Sequence, residues 1–436
     1  MTLYIKKMNI LILGSGGREH AFAWKIAQSP HCDELYVAPG NAGTAQVATN
    51  LPISYNDFEA VAKAIVAHKI KLVIVGPEEP LVNGIVNFLK ARPELARVKI
   101  VGPDQLGAQL EGSKDFSKNF MLKYGIPTAS SRTFTVESLE EGLAYLDTHS
   151  LPVVLKADGL AAGKGVIIAE TTAVAKTSLS DMLVDAKFGA ASSKVVIEQF
   201  LRGIELSVFV LTDGVNYKIL PEAKDYKRIG ERDTGPNTGG MGAVSPVVFA
   251  DENFLKKVEQ KIVKPTLRGL QEEKIHYVGF IFIGLMNVKG EPYVIEYNAR
   301  MGDPETEVVL PRIQSDLVTL LLAAADQKLL DSDFVISNQT AVTTVIVSGG
   351  YPDAYEKGKK IAELERIDDV TVFHAGTTTN SDGEVLTNGG RVLALTALAN
   401  SLEGAVNKSQ KAAAAVQFEG KYYRKDIGLD LIRYND

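Results

Sequence analysis

The stretch Lys156-Ala157-Asp158-Gly159-Leu160-Ala161-Ala162-Gly163-Lys164-Gly165 has the glycines and lysines of a phosphate loop, but not its spacing. Three residues rather than four separate Gly159 from Gly163. Gly165 stands where a Ser or Thr would hold magnesium, and the run Gly165–Ala169 that follows reads as a strand rather than a helix. The physical alternative is a glycine-rich hairpin that closes over a nucleotide. Lys156 then projects from the incoming strand, Pro152–Ala157, as a fixed positive charge near the α- and β-phosphates. A flexible turn flanked by solvated lysines is the plainer alternative.

Paired strands continue outward on the C-terminal side through Val195–Ile197, Leu206–Leu211 and Tyr217–Leu220. On the N-terminal side the rhythm is different. Short apolar runs at Ile10–Leu13, Leu35–Val37, Leu72–Val75 and Lys99–Val101 alternate with amphipathic Arg18–Gln28 and Phe58–His68, which predicts parallel βαβ units. Several of these strands end in Gly or Pro turns, so a set of loops gathers at the carboxyl end of the sheet, where open α/β sheets bind ligands. A helix is predicted from Ser113 to Tyr124, ended by Gly125-Ile126-Pro127. The last hundred residues carry strands at Thr343–Val347, Thr371–Phe373 and Arg391–Leu395 and a helix from Ser401 to Phe418, a small α+β domain.

Gly14-Ser15-Gly16-Gly17-Arg18-Glu19-His20 leaves a strand and opens a helix, so its backbone N–H groups and the helix dipole suit a phosphate. Glu19 occupies the sixth position of the dinucleotide fingerprint, and the second strand runs into Ala38-Pro39-Gly40 with no acid for a ribose hydroxyl. A smaller phosphorylated ligand fits better than NAD. Ile197-Glu198-Gln199-Phe200-Leu201 has the apolar and amide character of an adenine slot, although a core strand end looks similar. The polar segment Glu222–Gly242, with five glycines, reads as a long loop wrapped around a small charged substrate.

Tyr293-Val294-Ile295-Glu296-Tyr297-Asn298-Ala299-Arg300 carries the sharpest chemistry. Strand alternation puts Glu296, Asn298 and Arg300 on one face at roughly 6.5–7 Å spacing, with Ile295 and Tyr297 on the other. A carboxylate and an amide oxygen in line are hard ligands for Mg²⁺, which completes its shell with phosphates and water. Arg300 lies where a phosphoryl or carboxylate group needs neutralising. The opposing run Phe280–Met286 is apolar and offers no salt-bridge partner.

Composition narrows the chemistry further. With 47 basic and 53 acidic residues the net charge is −6, so no global field favours nucleic acid or an anionic membrane. Cys32 is the only cysteine, which excludes intramolecular disulfides and multi-cysteine metal sites. Apart from the short N-terminal run Met8–Leu13, the longest candidate, Leu317–Ala325, is half the length of a membrane span. A cytoplasmic protein is expected, with Met1–Lys7 a floppy extension and either Met1 or Met8 the native start. The six histidines are scattered, so phosphoryl transfer by positioned charge suits the chain better than a protein nucleophile.

Taken together, Gly14–His20, Lys156–Gly165, Asp233–Gly242, Glu296–Glu305 and Asn388-Gly389-Gly390-Arg391 resemble, in order, the phosphoribosylamine–glycine ligase family of ATP-grasp enzymes, the glycinamide ribonucleotide synthetases of purine synthesis. The resemblance implies a Rossmann-like N-terminal substrate domain over 8–112, an ATP-grasp core over 113–334 with an inserted lid at about 132–201, and a C-terminal α+β domain over 335–436. It implies ATP phosphorylation of glycine and attack by 5-phosphoribosylamine. It also implies roles for residues: Lys114 and Lys156 on ATP phosphates, Gly163, Lys164 and Gly165 in the closing loop, and Glu198 at adenine and ribose. Glu296 and Asn298 would bind Mg²⁺ or Mn²⁺. Arg300 and Asp225, with Asp233, Gly239 and Gly240 of the Asp233–Gly242 loop, would face glycine, while Gly16 and Gly17 would approach the ribose phosphate. Many ATP-grasp proteins place another acid on the preceding strand, and Phe280–Met286 has none, so the metal would lean on ATP oxygens and water. Tyr297-Asn298-Ala299-Arg300-Met301 departs from the common Phe-Asn-Cys-Arg-Phe in apolar positions only. The expected partners are small molecules, with a monomeric chain. A different ATP-grasp carboxylate–amine ligase or carboxylase, or a non-catalytic nucleotide-binding regulator, are the alternatives.

Overall fold

A computed structural model describes residues 7–160, 165–185, 189 and 193–435. Gly163 and Lys164 of the closing loop, and the first six residues of the predicted extension, therefore lie outside the described residues.

The N-terminal βαβ rhythm folds as a parallel sheet in which Thr49–Asn50, Cys32–Pro39, Met8–Gly14, Ile70–Val75 and Lys99–Val101 lie side by side in that order. The central strand is buried on both faces. Its alternation splits two cores, with Ile10 and Ile12 packing with Phe22 and Ile26 and Leu11 and Leu13 packing with Val61 and Ile65. Strand order reverses around Met8–Gly14, so the Gly14–Gly17 turn opens at a topological switch point.

The middle of the chain forms two antiparallel sheets. The first runs Ser131–Phe134, Val195–Gln199, Val153–Ala157, Val166–Ala169 and has its own core of Phe134, Leu155, Leu179 and Ile197. Its hairpin pairs Val153 with Ala169 and Lys156 with Val166, as the glycine-rich stretch predicts. The second runs Tyr217–Ile219, Ile204–Thr212, Gly279–Val288, Glu291–Asn298. Helices Leu139–Thr148 and Thr172–Leu183 were not foreseen.

The C-terminal sheet corrects one sequence expectation. Its order is Lys224–Asp225, Gly242–Ser245, Thr340–Val347, Arg391–Ala399, Thr371–His374, so both ends of the segment read as a wrapping loop are strands. Between them Arg228–Gly230 pairs with Thr234–Asn237 as a hairpin. Ala243 and Val244 are fully buried, and this short apolar pair, hidden among glycines and charges, supplies the reason. The molecule thus combines an N-terminal parallel sheet, two antiparallel sheets in the middle of the chain and a C-terminal α+β unit, in the order of the predicted fold class.

Candidate active site

Helix Lys114–Lys123 starts where Ser113 Oγ accepts the Phe116 N–H at 3.0 Å. Asp158, from the glycine-rich stretch, accepts the Asp115 N–H at 3.1 Å. This cap places Lys114 in the first turn, where its ammonium donates to the Gly159 carbonyl at 2.9 Å. Burial lowers the Lys114 pKa, resisted by Glu296 and reinforced by Lys156, which puts all three groups in one electrostatic neighbourhood. Lys156 donates across the gap between the two antiparallel sheets to the Ile295 carbonyl at 3.1 Å.

Glu198 is buried, with Lys156 at 3.0 Å and Lys118 at 3.4 Å, while its second oxygen, Oε1, has no hydrogen-bond partner. Lys118, one turn after Lys114, escaped the sequence reading. The i, i+4 spacing of two lysines at a helix start was the available signal. Burial pushes the Lys118 ammonium down to about 8, against the pull of Glu198 and with the push of Lys156.

Glu296 faces a narrow cleft lined by Ser207, Asp225, Lys227, Gly284 and Ile295. Strict alternation fails here. Gly284 pairs with Glu296 and Leu285 with Val294, leaving Ile295 as a bulged residue that lines the same cleft as Glu296 instead of packing opposite it. Gly284 is the position facing Glu296, and a Cβ there would stand 3.1 Å from Glu296 Cγ. The predicted absence of a second acid on that strand is therefore also what admits the Glu296 side chain. Asp225 sits 4.0 Å from the Lys227 ammonium, which binds Glu205 at 2.8 Å. Burial raises the Asp225 carboxyl, opposed by Lys227 and helped by Glu205.

Arg300 has partners that sequence could not supply. Nη2 meets Glu111 at 2.7 Å and Asn298 Oδ1 at 3.3 Å, Nε meets Glu78 at 3.3 Å, and Nη1 donates to the Met301 carbonyl at 3.2 Å. Burial works to raise the Glu78 carboxyl, but Arg300 and Arg18 outweigh it and hold Glu78 down at about 2. The guanidinium is thus a clamp joining the end of strand Glu291–Asn298 to helices Glu78–Val82 and Gln109–Gly112, and it orients the Asn298 amide.

At the Gly14–Gly17 turn, Arg18 donates its N–H to Asp303 at 3.2 Å, and a Cβ at Gly17 would collide with Glu307 Oε1. Arg391 bonds Asp303 at 3.0 Å and the Gly239 carbonyl at 2.6 Å. Gly240, at φ +121°, lies against Pro304, and any side chain there would strike that ring. Asp233 is bound by Arg424 at 2.7 Å. The Asp233–Gly242 segment is therefore pinned to the C-terminal sheet, with its glycines against the residues that follow Arg300.

Among the described residues no group of three or more His, Cys, Asp or Glu side chains could hold a metal. The pair expected from the sequence, Glu296 and Asn298, offers two oxygen donors. The Glu296 carboxylate makes no hydrogen bond or ion pair among the described residues, and the Asn298 oxygen is aimed by Arg300. Such a set fits a hard divalent cation that shares its shell with phosphates and water.

Three domain descriptions match in chain order: phosphoribosylglycinamide synthetase N domain over 8–111, ATP-grasp (A) domain over 112–306 and C domain over 341–430. The chain is 47% identical over 430 residues to the phosphoribosylamine–glycine ligase of Vibrio vulnificus, covering 98% of this chain and 99% of the relative. It is 46% identical over 428 residues to that of Chlorobaculum tepidum, covering 97% and 99%. The crystal structure of the Thermotoga maritima phosphoribosylamine–glycine ligase superposes with TM-score 0.83 at 38% identity, over 96% of this chain and 100% of that one. A Hydrogenobacter thermophilus biotin carboxylase domain, solved with MgADP, shares the fold at TM-score 0.72 and 17% identity, over 95% and 92% of the two chains. With likeness of this extent along nearly its full length, the chain belongs to the phosphoribosylglycinamide synthetase family.

Proposed function

We propose that this chain uses ATP to convert the carboxylate of glycine to glycyl phosphate and passes the glycyl group to the amine of 5-phosphoribosylamine. The products are glycinamide ribonucleotide, ADP and phosphate, a step of purine biosynthesis. The observation that carries the reading is the Glu296 carboxylate, which has no hydrogen-bond or ion-pair partner among the described residues and shares the electrostatic neighbourhood of Lys114, in a chain similar throughout to ligases of that name.

Lys114 and Lys156 hold phosphate oxygens, and the glycine-rich loop that includes Gly163, Lys164 and Gly165 closes over them. Glu198 fixes Lys156 from behind, and its free oxygen and the following backbone suit the adenine and ribose. Glu296 and Asn298 hold Mg²⁺ or Mn²⁺, which when bound neutralises phosphate oxygens and polarises the transferred group. Asp225 receives the glycine ammonium, with Gly239 and Gly240 of the Asp233–Gly242 segment closing that end. Arg300, its nitrogens already committed to protein acceptors, acts as a positioning residue through Asn298. Gly16 and Gly17 leave space for the ribose phosphate.

This reaction needs charge neutralisation and orientation but no covalent enzyme intermediate. The reading includes a cytoplasmic monomer that binds neither nucleic acid nor membrane. No helix among the described residues is long and apolar enough to cross a bilayer. ADP formation with each substrate omitted in turn tests the proposal. The expected result is a strict need for both glycine and phosphoribosylamine, and ADP release driven by a different acid would replace the reading with another ligase.

A further inference from the structure

The reaction just proposed releases a proton that none of its assigned residues accepts. When an amine attacks glycyl phosphate, nitrogen gives its lone pair to the carbonyl carbon, the C–O bond to phosphate breaks, and one N–H proton must leave. The two histidines nearest the Gly14–Gly17 turn are already engaged. His20 Nδ1 accepts the His374 N–H at 2.8 Å, and His374 Nδ1 lies 3.1 Å from Thr377 Oγ1. Asp303 is ion-paired with Arg391.

Glu305 is different. It is 4% exposed, yet no other side chain among the described residues hydrogen-bonds or ion-pairs with its carboxylate, which takes only its own backbone N–H. Gly302 keeps a side chain out of its way, since a Cβ there would collide with Glu305 Oε2. The charged groups facing it come from both halves of the site: Asp225 and Lys227 on the cleft side, Arg300 beneath, and Glu307 and Arg391 toward the glycine turn. The same Cβ at Gly302 would also meet Phe282, which lines the cleft, and Glu307, two residues on, would meet a Cβ at Gly17, so Glu305 lies on the stretch of chain that runs from the cleft to the glycine turn. Glu307, also buried and with Oε2 unpartnered, has no such link to the cleft groups.

We propose that Glu305 is the general base of the ligation, taking the proton from the attacking amine as the amide bond forms and passing it to solvent after phosphate leaves. This rests on the function proposed above. Burial first, then Asp225, pushes the carboxyl up to about 8, with Lys227 and Arg300 resisting, which matches a base that works near neutral pH.

The test separates the two half-reactions with Glu305→Gln in the full chain. Hydroxylamine, an amine that is neutral and strongly nucleophilic at pH 7, traps glycyl phosphate as the hydroxamate with little need of a base. The variant is expected to form hydroxamate from ATP and glycine at close to the wild-type rate, and to lose about 100-fold or more of phosphoribosylamine-dependent turnover. Glu305→Asp should restore part of that loss. Retained phosphoribosylamine turnover, or hydroxamate formation lost in parallel, overturns the inference. A measurement on the unmodified protein does not depend on the variant folding. Its phosphoribosylamine-dependent rate should rise with pH along a limb near 8 that its hydroxamate rate lacks, and the same limb in both rates overturns the assignment. Wild-type protein that forms neither hydroxamate nor phosphoribosylamine-dependent ADP from ATP and glycine refutes the function itself, a result that none of the other outcomes resembles.

Discussion

The cleft and the seam where the outer sheets meet the middle of the chain treat charge in opposite ways. At the seam four guanidinium groups are each answered by a carboxylate: Arg18 by Glu19 at 2.6 Å, Arg300 by Glu111 at 2.7 Å, Arg391 by Asp303 at 3.0 Å and Arg424 by Asp426 at 2.8 Å. At and beside the cleft the carboxylates of Glu296 and Glu305 have no such partner among the described residues, and Glu198 leaves one oxygen unsatisfied. Burying a charge without a partner is costly, so a fold keeps such groups only where something else relieves them. On the function proposed above, the contrast separates residues that hold the domains together from residues whose charge a ligand would relieve.

The largest effect should come from breaking the seam. Glu111→Ala leaves Arg300 with Glu78 as its one carboxylate partner among the described residues and removes the acceptor of the Ala299 N–H at 2.7 Å, so unfolding free energy should fall by about 3 kcal/mol, read as a lower urea midpoint. Glu296→Ala should do the reverse. With no protein partner to lose, the midpoint should stay where it is while turnover drops about 10²–10³-fold at saturating metal. Near-normal turnover would remove Glu296 from the metal assignment and erase the distinction between the two regions.

Much of the cleft was legible because its chemistry is local. Glu296, Asn298 and Arg300 lie within five residues, and the non-P-loop spacing around Gly159–Gly165 predicted the hairpin. The seam was not legible, because Glu78 and Glu111 lie 222 and 189 residues from Arg300 and only the crossing of a parallel sheet with a second domain brings them there. The bulge at Ile295 was missed for a different reason. Period-two reasoning assumes unbroken pairing, and the clue lay on the neighbouring strand, where Gly284 interrupts an otherwise bulky apolar run. The Ala243–Val244 strand was too short to show any period.

The histidine pair extends the seam to groups that avoid charge. Burial, and for His20 the neighbouring His374, hold their pKa values down at about 3 and about 4, below the ordinary 6.5. The unfolded chain therefore binds more protons than the folded one once pH drops below 6.5. The stability these residues contribute is complete above that pH and is lost as pH falls toward 4 and then 3. His20 alone accounts for about 2 kcal/mol between pH 7 and 5. His20→Gln should flatten that part of the curve of midpoint against pH, and a curve identical to wild type would mean the pair is not buried neutral.

The smallest effect identifies which property of the seam matters. Glu252 and Lys256 form an i, i+4 pair at 2.8 Å, about as short as Arg300–Glu111, but their side chains are 83% and 63% exposed against 6% for Glu111. Water already solvates both ions, and salt screens what attraction remains, so the contact itself contributes little. Lys256→Ala should leave the urea midpoint and turnover within error of wild type. If it instead destabilised the chain as Glu111→Ala does, pairing rather than burial would be the controlling variable, and the unpartnered state of Glu296 and Glu305 would no longer set the cleft apart.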